Sequence, residues 1–145
     1  MTVIAWDGKT LAADKRMVSA GLILTTTKIR RIGGLLVGAA GNISSTAELM
    51  AWVERGRNPV DWPASQKDKE DWAGLLVIEG RRILRYEQSP FPCELEDRVV
   101  ATGSGRDFAI AAMHCGKTAR EAVELACLLE NGCGNGVDVL ELSSD

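Results

Sequence analysis

The 145-residue sequence predicts an α+β domain built from layers of antiparallel sheet and helix, and three observations carry that prediction. The elements run strands, helix, strands, two helices, strand, rather than alternating one strand with one helix as a parallel sheet demands. The strands are short and joined by tight turns, which implies antiparallel pairing. No internal repeat or low-complexity segment interrupts the order. Two antiparallel blocks with helices around them are compatible with a four-layer sandwich, although the pattern alone does not choose it over a two-layer α+β fold.

Taken in order, strands are predicted over residues 2–6, 10–13, 22–24, 28–32 and 35–40, with turns at Asp7-Gly8-Lys9 and Gly33-Gly34. From Ser44 the period changes. Ser44 or Ser45 caps a helix, Glu48 supplies the acid of a capping box, and Leu49, Met50, Trp52 and Val53 form its apolar stripe up to a stop near Gly56. The polar stretch 57–71, with Pro59 and Pro63, reads as a surface loop. A second strand block follows at 73–78, 82–86 and 99–102, broken by Pro90-Phe91-Pro92. Helices are predicted over 106–115 and 119–129, the second capped by Thr118 with Glu121 three residues on, and the glycine-rich run 132–136 leads into a last strand at 137–142.

Composition narrows the function. With 46% apolar residues, a chain of this length buries one sizeable core, so a single domain over 1–145 is expected. The net charge of −3, with Lys and Arg scattered among acids, gives no basic stripe for nucleic acid. The longest apolar runs are strand-length, so no membrane span is expected, and no basic region followed by a long apolar one marks a secretory signal; a cytoplasmic location follows. Cys93, Cys115, Cys127 and Cys133 form no CxxC pair, which argues against a zinc site, and the first three are expected as small buried hydrophobes. His114, the one histidine, lies in a helical run where a surface or packing role is expected.

The residue after Met1 carries distinctive chemistry. Methionine before a small side chain is commonly removed, and the chain would then begin at Thr2, whose free amine (pKa of ~7.7–8.0 unperturbed) takes the proton from its own hydroxyl. Nucleophile and general base then share one residue. A three-residue loop at Asp7-Gly8-Lys9 would place Asp14 opposite Thr2; a two-residue turn would place Ala13 there, with Asp14 still adjacent.

The segments Thr2-Val3-Ile4-Ala5, Leu11-Ala12-Ala13-Asp14-Lys15-Arg16 and Lys28-Ile29-Arg30-Arg31-Ile32 resemble the opening of proteasome β-subunits and of HslV, N-terminal-nucleophile (Ntn) hydrolases. The resemblance implies a four-layer αββα sandwich of two antiparallel sheets, with Thr2 as nucleophile, Asp14 at the end of the second strand, and Lys28 beside the threonine hydroxyl. A fixed ammonium there favours the alkoxide, and Asp14 would hold it. Ala40-Gly41-Asn42 is similar to the family's segment whose glycine N–H holds the oxyanion, which makes Gly41 the match and Gly38 the weaker alternative. Ala101-Thr102-Gly103-Ser104-Gly105 resembles the Gly-Ser-Gly motif whose serine bonds the threonine amine, so Ser104 takes that role. As a dinucleotide fingerprint the same segment fails, because Phe108 stands in place of the third glycine.

Glu130-Asn131-Gly132-Cys133-Gly134 matches a family stretch that carries Asp and Ser, so here Glu130 replaces the aspartate and Cys133 the serine, which loosens or rearranges the hydrogen bonding near Ser104. The resemblance implies a threonine-type endopeptidase acting on protein or peptide substrates in a homo-oligomeric ring, served by an ATP-dependent unfoldase, with no metal or organic cofactor. Two rivals share the fold: a structural subunit without catalysis, and an amidohydrolase acting on a small amide.

Overall fold

The computed structural model describes residues 1–67, 70 and 72–142. In chain order its strands are β1 (Ile4–Trp6), β2 (Thr10–Asp14), β3 (Arg16–Ser19), β4 (Leu22–Thr25), β5 (Ile29–Ile32), β6 (Leu35–Gly41), β7 (Ala73–Glu79), β8 (Arg82–Tyr86), β9 (Cys93–Leu95), β10 (Val100–Thr102) and β11 (Val137–Glu141); its helices are α1 (Ile43–Glu54), α2 (Arg106–His114) and α3 (Ala119–Leu129). The chain divides into two compact units, Met1–Arg30 with Asp97–Asp145, and Arg31–Glu96.

In the first unit an antiparallel sheet runs in the order β10-β1-β2-β11. Val3, Ala5 and Ala12 on one face meet Ala109, Ala112 and Met113 of α2 and Ala119, Ala122, Val123 and Ala126 of α3. The four α3 positions recur at helical spacing, and their small side chains let the helix lie close on the strands. Ile4 and Leu11, on the opposite face, are also fully buried, which is why these strands read as continuous apolar runs. Thr118 and Glu121 form the predicted capping box, each side chain accepting from the other's backbone N–H.

The hairpin register differs from both predicted alternatives. Ile4 pairs Ala13 and Trp6 pairs Leu11, so the turn residues are Gly8 and Lys9, closed by the Asp7 N–H to the Thr10 carbonyl. Asp7 Oδ1 accepts from the N–H groups of Lys9 and Thr10 and fixes this turn. Asp14 therefore stands opposite Val3 rather than Thr2.

The second unit holds strands β6 to β9 of the sheet β5-β6-β7-β8-β9, with α1 packed on them through Leu49, Trp52 and Val53 against Val37, Ala39, Leu75 and Val77. Asn42, not Ser44 or Ser45, caps α1, accepting from the Ser45 N–H at 3.1 Å. Asp68, Lys69 and Asp71 of the predicted loop 57–71 lie outside the described residues; the rest carries 3-10 turns at Pro59–Asp61 and Ala64–Lys67. This stretch is less of a surface loop than its polarity suggests. Trp62 stacks edge-on to Trp52 with ring centroids 4.7 Å apart, and Gln66 is fully buried.

Strands β3 and β9 were not expected. Cys93 and Cys115 are exposed and Cys127 half-buried, against the expectation of three buried thiols; Cys93 lies on a short edge strand and Cys115 just past the end of α2. His114 is exposed at the end of α2. Among the described residues no helix is long and apolar enough to cross a membrane, and no three His, Cys, Asp or Glu side chains gather as metal ligands.

Candidate active site

Asp14 ends β2 in complete burial, and a buried carboxylate persists only where its lone pairs are met. Four donors meet them. Oδ1 accepts from Lys28 Nζ at 2.8 Å and from the Val3 N–H at 3.0 Å, while Oδ2 accepts from the N–H groups of Gly134 at 3.1 Å and Arg16 at 3.2 Å. The Lys28 side chain is itself only 8% exposed, so the pair is shielded from solvent. Its ammonium also donates to the Met1 carbonyl at 2.9 Å, the acyl oxygen of the peptide bond that joins Met1 to Thr2.

Thr2 is buried beneath an exposed Met1. Its N–H donates to Ser104 Oγ at 3.1 Å, and the Ser104 hydroxyl lies 3.3 Å from the Thr2 carbonyl, which also accepts from the Gly105 N–H at 3.1 Å. The Gly-Ser-Gly turn thus clasps the Thr2 backbone from both sides. At Gly103 a side chain has no room: φ is +93°, and a Cβ would stand 2.7 Å from the Thr2 carbonyl carbon.

Cys133 follows α3 and is buried, its Sγ 3.9 Å from Ser104 Oγ. Burial, and secondarily the Asp14 charge, pushes its thiol above the ordinary cysteine range, so it sits beside Ser104 as a neutral hydrogen-bonding group and is unsuited to be an independent nucleophile. The Glu130 carboxylate turns back on its own loop, Oε1 accepting from the Gly132 N–H at 3.0 Å, while the Glu130 carbonyl accepts from the Cys133 N–H at 3.1 Å. Glu130 shapes the turn that carries Cys133.

Thr2, Asp14, Lys28, Ser104 and Cys133 are therefore brought together in the first unit. Gly41 belongs to the second, at the end of β6 opposite Ala73, with φ +137°. Sequence reasoning missed Arg16 and Gly134. The Arg16 guanidinium donates to Asn135 Oδ1 at 3.1 Å and to the Asn131 carbonyl at 2.8 Å, lying so close on Gly134 that a Cβ there would meet it at 2.7 Å. Arg16 so holds the loop whose Gly134 N–H reaches Asp14. The adjacency of Arg16 to Asp14 was a signal; the loop glycine's contact was not readable.

No family model matches the sequence, and no curated protein matches it with significance. Solved structures do match over the whole chain. BPH of Thiobacillus denitrificans in complex with epoxomicin superposes with a TM-score of 0.72 at 21% identity, over 99% of this chain and 100% of that one. HslV from Trypanosoma brucei gives 0.71 at 24% identity, over 97% of each chain. The fold is that of HslV. A second BPH structure agrees, at 0.71 and 20% identity over 99% of both chains. The α+β architecture expected from the sequence is thus observed as an HslV-like fold.

Proposed function

We propose that this chain is a threonine-type endopeptidase of the HslV-like class, with Thr2 as nucleophile once Met1 is removed. One observation carries the reading: a solvent-shielded Lys28–Asp14 pair directs its ammonium to the peptide bond whose cleavage exposes Thr2. Before cleavage the Thr2 nitrogen is an amide and Lys28 is engaged by the Met1 carbonyl. Removing Met1 frees that ammonium and turns the nitrogen, 3.1 Å from Ser104 Oγ, into an amine.

The steps follow from these groups. The amine, relayed through Ser104, takes the Thr2 hydroxyl proton while Lys28 stabilises the forming alkoxide; the oxygen attacks the peptide carbonyl, and the oxyanion is held by the Gly41 N–H. The protonated amine then passes its proton to the leaving amine. Water activated by the same amine releases the acyl group. Asp14 keeps Lys28 oriented, and Glu130 and Cys133 shape the environment of Ser104. The fold shared with HslV favours a homo-oligomeric ring acting on protein or peptide substrates with an ATP-dependent unfoldase as partner.

Intact mass and turnover of a short fluorogenic peptide test this reading. Protein lacking Met1 should be active, Thr2→Ala should lose turnover by ~10⁴ or more, and epoxomicin, bound by the Thiobacillus protein, should add its mass to wild type but not to Thr2→Ala. Turnover that survives Thr2→Ala would identify another nucleophile. An inactive chain with Met1 retained would favour the structural-subunit reading.

A further inference from the structure

We propose that Gln66 is a positioning residue that fixes the Gly41 peptide through Ala73; the catalytic consequence rests on the reading of Gly41 as oxyanion donor. Gln66 lies in the 3-10 turn Ala64–Lys67, in a polar stretch, yet its side chain is fully buried. The amide is spent on backbone. Oε1 accepts from the Ala73 N–H at 3.0 Å, and Nε2 donates to the Ala73 carbonyl at 2.6 Å and to the Glu87 carbonyl at 2.9 Å. One side chain therefore engages both backbone groups of Ala73, as a neighbouring strand would, and ties that residue to the end of β8.

Ala73 begins β7 and stands in register opposite Gly41, the last residue of β6. Nothing separates the two backbones. A Cβ at Gly41 would fall 2.7 Å from Ala73 Cα and 2.8 Å from the Trp72 carbonyl oxygen, and φ of +137° is a conformation that glycine alone adopts at little cost. The Gly41 peptide is thus seated on residues 72 and 73, and displacement of Ala73 is passed directly to it. A covering role alone would be met by an apolar side chain. The three hydrogen bonds instead converge on the residue opposite Gly41 and on its anchor across the sheet.

The test compares wild type with Gln66→Met, which keeps the shape and removes all three hydrogen bonds. Gln66→Asn, which keeps the amide but withdraws it by one methylene, carries the same test should the Met variant not fold. The readouts are the Gly41 amide resonance and the separate kcat and KM for a fluorogenic peptide. In a folded variant the Gly41 resonance should shift, and kcat should fall by ~10-fold or more with KM nearly unchanged, as for a transition-state donor moved out of place. Gln66→Asn should show a smaller change of both. A Gly41 resonance that stays in place would overturn the proposal, as would a loss confined to KM. A shifted resonance with kcat intact would uphold the link from Gln66 to Gly41 and remove Gly41 from the oxyanion role instead.

Discussion

Asp14 with Lys28 in one unit, and Gln66 in the other, are enclosed polar side chains that solve burial in different ways. Gln66 is neutral, and three backbone hydrogen bonds offset its desolvation. Asp14 and Lys28 bring two charges out of water, where the desolvation cost rivals their attraction, and the carboxylate needs three backbone N–H groups besides its ion partner. An ion pair so enclosed is a poor way to stabilise a fold. Its presence next to Thr2 therefore speaks for chemistry, whereas the buried amide speaks for placement of backbone.

The largest effect should come from dividing the charged pair. Lys28→Met leaves Asp14 buried and unpaired, and should cost ~3–5 kcal/mol in denaturant unfolding as well as abolish turnover. The double variant Asp14→Asn with Lys28→Met should regain much of that stability while remaining inactive. Turnover by the double variant would show that the pair is structural. Next comes Gly103→Ala, whose Cβ meets the Thr2 carbonyl carbon; peptide turnover should fall by ~10² or more as Thr2 is displaced.

The neutral centre should respond more mildly. Gln66→Met strands the Ala73 N–H and two carbonyls and should lower unfolding free energy by ~1–3 kcal/mol, less than the divided ion pair. A larger loss at Gln66 than at Lys28 would reverse the contrast drawn between the two sites. Smallest is Cys133. Because burial raises its thiol, less thiolate is present at any given pH, so alkylation near neutrality should reach exposed Cys93 and Cys115 first, and Cys133→Ser should change stability by no more than ~1 kcal/mol.

The sequence disclosed residues whose type is itself the signal, and it hid those defined by their neighbours' backbone. The capping box of α3 was legible at Thr118 and Glu121; the motifs that carry Thr2, Asp14, Lys28 and Ser104 occur in order along the chain, and the structure gathers those four residues in the first unit. The register of the first hairpin was not, since the side chain of Asp7 selects Gly8-Lys9 as the turn among three overlapping choices. Strand β3 escaped because its turn uses Ala20 in a positive-φ conformation, φ +50°, where an Asn or Gly is the usual signal. Asn42 was hidden among adjacent capping residues. Gln66 looked like one more polar loop residue, because a hydrogen bond to the Ala73 backbone leaves no trace in residue type.

The most direct test is to make the chain with a removable segment before Thr2 and to assay one preparation for peptide turnover before and after trimming, with intact mass confirming each state. If a free Thr2 amine drives the chemistry, activity is absent beforehand and emerges in step with the trimmed mass. Equal turnover by the untrimmed chain would contradict the account.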